Sequence, residues 1–272
     1  MGDYEDGYFE EEEEKEKRPY DQAQGKVKKE LEELFGTRPS EVFFSRQLEV
    51  KFEKNFFHWI TNRAIHELED EGQIVCERRP IGTGSSIVLA FNKAHRYYKR
   101  DAQRICELVE EYSQPTVGRE VGRNGEALVL NGFARNQFVM QGQETREFNG
   151  KKWRSTEHDL DFIFSKDGID YGVEVKNTLT YMNYKEMKIK MRICKKLGIR
   201  PVFVARMMPG HWINEVNGEG GYSLILKYQL YPLAFERLAK RLREELELPV
   251  DTPRALDDGT MRRFMKWHVK NL

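Results

Sequence analysis

Apolar and polar positions alternate with two different periods along this chain, and the switch between them divides it. Up to about residue 115 the helical period dominates. "KVKKELEELFG" predicts a short helix closed by Gly36. "SEVFFSRQLEVKFEK" predicts a second, with Ser45 as its candidate N-cap. In "NFFHWITNRAIHELEDEGQI" the positions Phe57, Ile60, Ala64, Ile65 and Leu68 keep helical spacing, and Gly72 ends the run. "IVCERRPI", "GTGS" and "SIVLAF" then read as a β-hairpin, so Gly82 and Gly84 belong to a turn rather than to a phosphate loop. "NKAHRYYKRDAQRICELVEEYSQP" is amphipathic, with Tyr98, Ile105, Leu108, Val109 and Tyr112 on one face, and predicts a connecting helix over 93–115.

Beyond the Gly-rich basic stretch "TVGREVGRNGE", read as a loop, the pattern becomes mixed. A helix ("NGEALVLNGFA") precedes three strands ("NQFVMQGQ", "HDLDFIF", "YGVEVKN"), then a helix ("MNYKEMKIKMRICKKLG") and another strand ("RPVFVAR"). This is a mixed α/β plan, with helices flanking a sheet, over 116–272. His211 and Trp212 fall in a loop with no role. "LYPLAFERLAKRLREELELPV" carries an amphipathic helix with Leu238, Leu242 and Leu246 in line, placed against the sheet domain or at a dimer interface. "MRRFMKWHVKNL" is a basic aromatic end, read as a final helix or an arm touching DNA.

The order helix, helix, longer helix, hairpin over 23–92 resembles a winged helix-turn-helix. The resemblance implies that the third helix enters the major groove and that the hairpin touches backbone or minor groove. Asn55, His58, Asn62 and Arg63 are then the exposed contacts on the helix, and Arg78 and Arg79 those on the wing. Such domains also dock proteins, and Glu67, Glu69, Asp70 and Glu71 make the far end of that helix acidic.

The segment "STEHDLDFIFSKDGIDYGVEVKN" places charge inside the most strand-like part of the chain. Strand alternation sets Glu174 and Lys176 on one face and Val173 and Val175 on the other. It sets Leu160, Phe162 and Phe164 together and Asp161 opposite them. Paired as a hairpin, the two strands bring Asp161 close to Glu174. Two carboxylates about 4 Å apart repel by roughly 4 kcal/mol at an effective dielectric of 20, so a shared proton or a cation is required. Hard oxygen donors suit Mg²⁺ or Mn²⁺. A lysine two residues from a metal-bound carboxylate positions a water or stabilises a phosphoryl oxygen.

Asp161, twelve further residues and then Glu174-x-Lys176 resemble the PD-(D/E)XK nuclease superfamily, with its restriction-endonuclease-like fold. Glu126 in "GRNGEALVLNGF" occupies the place of the extra helical glutamate seen in many members. The layout is similar to the Holliday-junction-resolvase and Mrr-like branch, over roughly 118–210. The resemblance implies that Asp161, Glu174 and the Val175 carbonyl hold the metal, that Glu126 supports it and that Lys176 orients the attacking water. Leu160 stands where a proline is usual. Asp159 shares Asp161's face and Glu157 is near, so the ligand stays open between them, with Asp161 favoured by the apolar run that follows it. Arg119 and Arg123, just before the Glu126 helix, are candidate phosphate contacts, as are Tyr181 and Lys188, with Lys185, Lys190 and Arg192 beside them. An ordinary amphipathic helix with solvated lysines accounts for the latter group equally.

Charge sharpens this reading. Residues 1–16 hold nine acids and one base, so the formal zero of the 272-residue chain conceals a body with 44 Lys+Arg against 36 Asp+Glu. An acidic disordered tail over 1–22 on a basic body fits a nucleic-acid partner. DNA, duplex or branched, is the expected substrate; RNA stays open beside it, although no paired stacking aromatics on a strand signal its recognition. A homodimer is the expected oligomer for cutting two strands. Cys76, Cys106 and Cys194 form neither a disulfide framework nor a zinc motif. With no signal peptide and no apolar run of about 18 residues, the expected place is the cytoplasm, with no membrane partner. The expected function is therefore a Mg²⁺-dependent DNA endonuclease acting in restriction, repair or recombination. A non-catalytic DNA-binding protein on an inert nuclease-like scaffold, or a structural nuclease subunit, are the alternatives.

Overall fold

The computed structural model describes residues 22–82 and 84–272. The predicted acidic tail lies outside them, save Gln22. The chain runs α1 (Gln22–Thr37), β1 (Val42–Phe44), α2 (Ser45–Phe52), α3 (His58–Asp70), β2 (Ile74–Pro80), β3 (Ser86–Asn92), α4 (Lys99–Tyr112) and α5 (Pro115–Arg135). It continues through β4 (Val139–Thr145), β5 (Glu147–Phe148), β6 (Lys151–Lys152), β7 (Leu160–Lys166), β8 (Ile169–Lys176), α6 (Tyr184–Leu197), β9 (Arg200–Ala205) and α7 (Gly210–Gly218). It closes with β10 (Tyr222–Ile225), β11 (Gln229–Leu230), α8 (Glu236–Glu245), β12 (Val250–Asp251) and α9 (Asp258–Lys270). Among the described residues no helix is long and apolar enough to cross a membrane.

The N-terminal elements form a small sheet in the order β1-β3-β2, against which α1, α2 and α3 pack. Val42–Phe44 is a strand, not the start of a helix, because three consecutive buried apolar residues pair with Leu89–Phe91. Helix α2 therefore begins one residue earlier than a Ser45 N-cap requires. Phe44 holds the cap position, and its N–H donates to Gln47 Oε1 at 3.2 Å. The hairpin β2–β3 turns at Gly84, whose φ of +82° suits glycine and whose N–H bonds the Ile81 carbonyl.

Five strands make the larger sheet, in the order β10-β9-β8-β7-β4. It is mixed: β4, β7 and β8 are antiparallel neighbours, while β8, β9 and β10 run parallel. Helices cover both faces. On one, Phe162, Phe164, Val173, Val175, Val202 and Val204 pack with Val129 and Phe133 of α5 and Phe264 of α9. On the other, Ile163 packs with Ile193, Cys194 and Leu197 of α6. The protein is thus mixed α/β, with helices on both sides of a mixed sheet.

Three local expectations change. The basic glycine-rich stretch is the first half of the 21-residue α5, opened by Pro115 at its N-terminal turn. Gly118 and Gly122 lie in it with nothing within 4 Å of an added Cβ, so no close packing demands them. His211 and Trp212 lie in α7, which caps on Pro209. Leu160 packs with Ile163 against α6 rather than with Phe162 and Phe164, because β7 parts from β8 beyond Phe162 and the alternation ends there. The basic aromatic end is a helix, α9, with Phe264 fully buried under the sheet.

A core cluster runs from β1 and β3 through α4 to α5 and α8, joining Phe44, Leu89, Leu108, Val121, Leu238 and Leu242. A buried ion pair strengthens this junction. Arg206, at the end of β9, bonds both carboxylate oxygens of Glu53 beyond α2, and its Nη2 also donates to the Leu179 carbonyl at 2.6 Å. Burial acts to raise the Glu53 pKa, but Arg206 and His58 hold it below its usual value. Breaking such a pair strands a buried charge. Glu53→Ala should lower stability by about 3–5 kcal/mol, read as a fall in the urea midpoint at unchanged slope. A loss below about 1 kcal/mol would mean that the pair is effectively solvated.

Candidate functional site

The ladder between β7 and β8 ends at Phe162 opposite Val173. Beyond that point β7 still follows β4, with Leu160 opposite Thr145, while β8 follows β9 as far as Lys176 opposite Ala205. The two middle strands therefore splay, and the Asp161 carboxylate fills the gap: its Oδ2 accepts the Val175 N–H at 2.6 Å. Glu174 is the next residue back along β8 and is buried.

Two lysines meet these acids from the α6 side. Lys190 is buried, with Nζ 2.7 Å from Glu174 Oε2, and it donates to the Asp159 carbonyl at 2.5 Å. Lys176 is half-buried, 2.9 Å from Glu186 Oε1 and 3.7 Å from Glu174 Oε1. The charges inside this apolar strand are thus compensated in part by the chain itself. Asp159, the other candidate ligand, offers its carbonyl to Lys190, and its half-exposed carboxylate stands 3.8 Å from the same Nζ.

Glu126 arrives from α5 on the other side. Asn177, just beyond β8, is buried; its Nδ2 donates to the Val121 and Leu230 carbonyls at 2.7 and 2.8 Å, while its Oδ1 accepts the Leu230 N–H. Helix α5 rests directly on it at Gly125, where an added Cβ would stand 2.6 Å from Asn177 Cβ. The missing side chain is what lets the helix approach, and it sets the neighbouring Glu126 near the splayed strand ends.

The electrostatics bear the mark of crowding. Glu174 is pushed up to about 7, first by burial and then by Asp161, against the pull of Lys190 and Lys176. Asp161 is also raised, mainly by burial, despite the Val175 N–H. Glu126 is raised by burial, by Asp161 and by Glu144. Burial opposes the charge on Lys176, yet Glu186, Glu174 and Asp161 hold its pKa above the usual value. Two lysines do not fully offset the acids, which leaves room for a further cation.

The donor chemistry fits a hard divalent ion: two carboxylates, the backbone between them and a helical glutamate. Glu174 Oε2 is buried without a well-aligned hydrogen bond, although Lys190 is close. Among the described residues no three His, Cys, Asp or Glu side chains converge as a ready-made cage.

The expected DNA contacts scatter. His58 is buried, not exposed, 3.1 Å from Glu53 and 3.2 Å from Arg46. Asn62 and Arg63 are half-buried, and Asn62 donates to Glu49. Asn62 turns inward because α2 packs against this face of α3. Asn55 and Arg78 are exposed, whereas Arg79 is half-buried on Glu77 at 2.7 Å. Arg119 and Arg123 are exposed along α5, inside the helix rather than before it, and Arg123 pairs with Glu120. Lys188 pairs with Glu215. Tyr181 stacks on the His58 ring, centroids 4.2 Å apart.

Sequence reasoning missed three residues here. Lys190 was grouped with solvated lysines, although it follows the apolar Met187 by three positions on the buried side of α6. Glu144 takes a φ of +45° on β4 opposite Asp161, and nothing in its residue type signals that. Arg206 closes an apolar strand, which is the one signal it gives.

Compared with protein-family models, curated proteins and solved structures, the chain matches none.

A carboxyl raised in the fold binds its proton more tightly than in the unfolded chain, so its contribution falls as pH rises from the unfolded value through the folded one. For Glu174 that window is about pH 4.5 to about 7. Glu174→Gln should melt progressively higher relative to the parent as pH rises from 5 to 8. A difference that stays constant across that range would deny Glu174 its raised pKa.

Proposed function

We propose that the protein is a divalent-metal-dependent endonuclease that hydrolyses DNA phosphodiester bonds. The carrying observation is the meeting of Asp161, Glu174 and Lys176 where β7 and β8 splay, with carboxyls held above their usual pKa by burial and by one another. An incompletely neutralised acid cluster at a strand end is suited to a cation. Asp161, Glu174 and the Val175 carbonyl would hold Mg²⁺ or Mn²⁺. When bound, the ion supplies a Lewis acid for a phosphoryl oxygen and a more acidic water.

The remaining roles belong to the chain. Lys176, fixed by Glu186 on α6, orients the attacking water and offsets charge on the phosphoryl group. Lys190 holds Glu174 in place from the buried side. Glu126 sits farther out and acts through water. The N-terminal unit, read as a winged helix, contributes DNA recognition, and among its expected basic contacts Arg78 on β2 is exposed. The larger unit is read as a restriction-endonuclease-like domain, and the working oligomer as a homodimer.

A second reading has its own observation. Lys190 on Glu174 and Glu186 on Lys176 are pairings that an inert scaffold also makes. It predicts DNA binding without cutting.

Linear duplex, supercoiled plasmid, single strand, flap and four-way junction are incubated with Mg²⁺, Mn²⁺ or EDTA. Cutting should need the metal and drop at least about a hundredfold in Asp161→Ala and Lys176→Ala. Independently of cutting, Mg²⁺ should raise the melting temperature more at pH 8 than at pH 5, since Glu174 must lose its proton to bind. No cutting of any substrate, together with no metal-induced shift at either pH, would favour the inert scaffold.

A further inference from the structure

Six aromatic side chains gather where three helices begin. Phe57 caps α3, Tyr184 opens α6, and His211 and Trp212 lie in the first turn of α7. Trp59 and Tyr181 complete the group. The contacts are close: Phe57 stacks on Trp59 at 4.3 Å and 8°, and meets Tyr181 at 6.2 Å and His211 at 5.8 Å. Trp212 meets Tyr184 at 5.1 Å and Tyr181 at 6.4 Å.

Phe57 and Trp212 lean on the cores beneath them, but two of the rings face solvent. Trp59 is 51% exposed and Tyr184 is 42% exposed. No large aliphatic side chain of α3, α6 or α7 is exposed alongside them, so the surface lacks the mixture that a protein partner would cover. Trp59 is held flat by Phe57 on one side and is open to solvent. The N-terminal ends of three helices add partial positive charge around the rings. Lys188 lies 5.9 Å above the Tyr184 ring, and Glu215, the acid beside it, is taken up by Lys188 and the Tyr184 hydroxyl.

The same first turn of α6 carries Glu186, which holds Lys176 at 2.9 Å. Rings and candidate cleavage centre are therefore built on one element. We infer that this patch is a stacking platform for unpaired nucleobases, with Trp59 and Tyr184 as its most exposed tryptophan and tyrosine rings. Every base has a π-face, so such a platform binds single strands with little regard to sequence. It deepens the nuclease reading, on which its placement beside Lys176 rests, by naming a nucleic acid with a single-stranded region as the substrate class.

Binding can be tested apart from cutting. Fluorescence anisotropy is measured in EDTA on the full chain with a labelled oligothymidylate, an oligouridylate and a blunt duplex, each of about 16 nucleotides or base pairs. Trp59→Ala and Tyr184→Ala should each weaken single-strand binding about tenfold, with less than about a twofold change for the duplex. Trp59→Phe should keep most of the affinity. The tighter of the two single strands assigns DNA or RNA. Absent single-strand binding, an unchanged affinity in both alanine variants, or an equal loss on the duplex would overturn the platform. Ring-dependent binding in a chain that cuts nothing with Mg²⁺ would uphold the platform and remove the nuclease reading.

Discussion

The separation of β7 from β8 is the constraint on which the candidate site depends. A β-ladder that continued past Phe162 and Val173 would satisfy the backbone of both strands and leave no space between them. Here the Val175 N–H, which would otherwise need a partner in the ladder, is taken by the Asp161 carboxylate. A buried N–H must be paired, so a short acid at this position lets the strands part without an orphaned donor. Parting in turn leaves Glu174 facing inward with an acid beside it. The same side chain that permits the geometry generates the electrostatic cost.

That cost is met from one side of the sheet only. Lys190 and Lys176 approach on the α6 face, and neither fully lowers the Glu174 pKa. On the α5 face, Gly125 against Asn177 brings in another acid, Glu126, rather than a base. Glu144, with its left-handed backbone, adds a fourth. A fold selected only for stability would replace such acids with apolar groups, since buried ion pairs seldom exceed hydrophobic packing in net worth. Retained crowding of this kind is a mark of a functional site.

Strand and helix periods made most of this architecture legible. Four of the five strands of the main sheet, all but β10, follow from alternation around Phe162, Phe164, Val173 and Val202, and the pairing of Asp161 with the Glu174 strand follows from their hairpin. What was hidden depends on distance along the chain. Whether Lys190 faces water or Glu174 is decided by how α6 is rotated over β8, where Gly172 lets Cys194 come close. Whether His58 is exposed is decided by α2 and by Arg206, which lies 153 residues from Glu53. The glycines of "TVGREVGRNGE" read locally as a loop, but α5 absorbs them because Val117, Val121, Leu128 and Val129 keep a buried face along it.

The join between the two halves follows the same logic of buried charge. Glu53 and Arg206 tie the end of α2 to the end of β9, and Arg206 also fixes the Leu179 carbonyl in the segment that leads from β8 to α6. Tyr181, in that same segment, lies on His58, which also touches Glu53. The path from Lys176 to Glu186 therefore runs through residues held by the N-terminal unit. A shift of α3 would reach Tyr181 first and the first turn of α6 next. The packing of the N-terminal half and the setting of Lys176 in the other are in this way mechanically linked through the seven-residue connection 177–183, whose first half is anchored by buried Asn177 and by Arg206 on the Leu179 carbonyl.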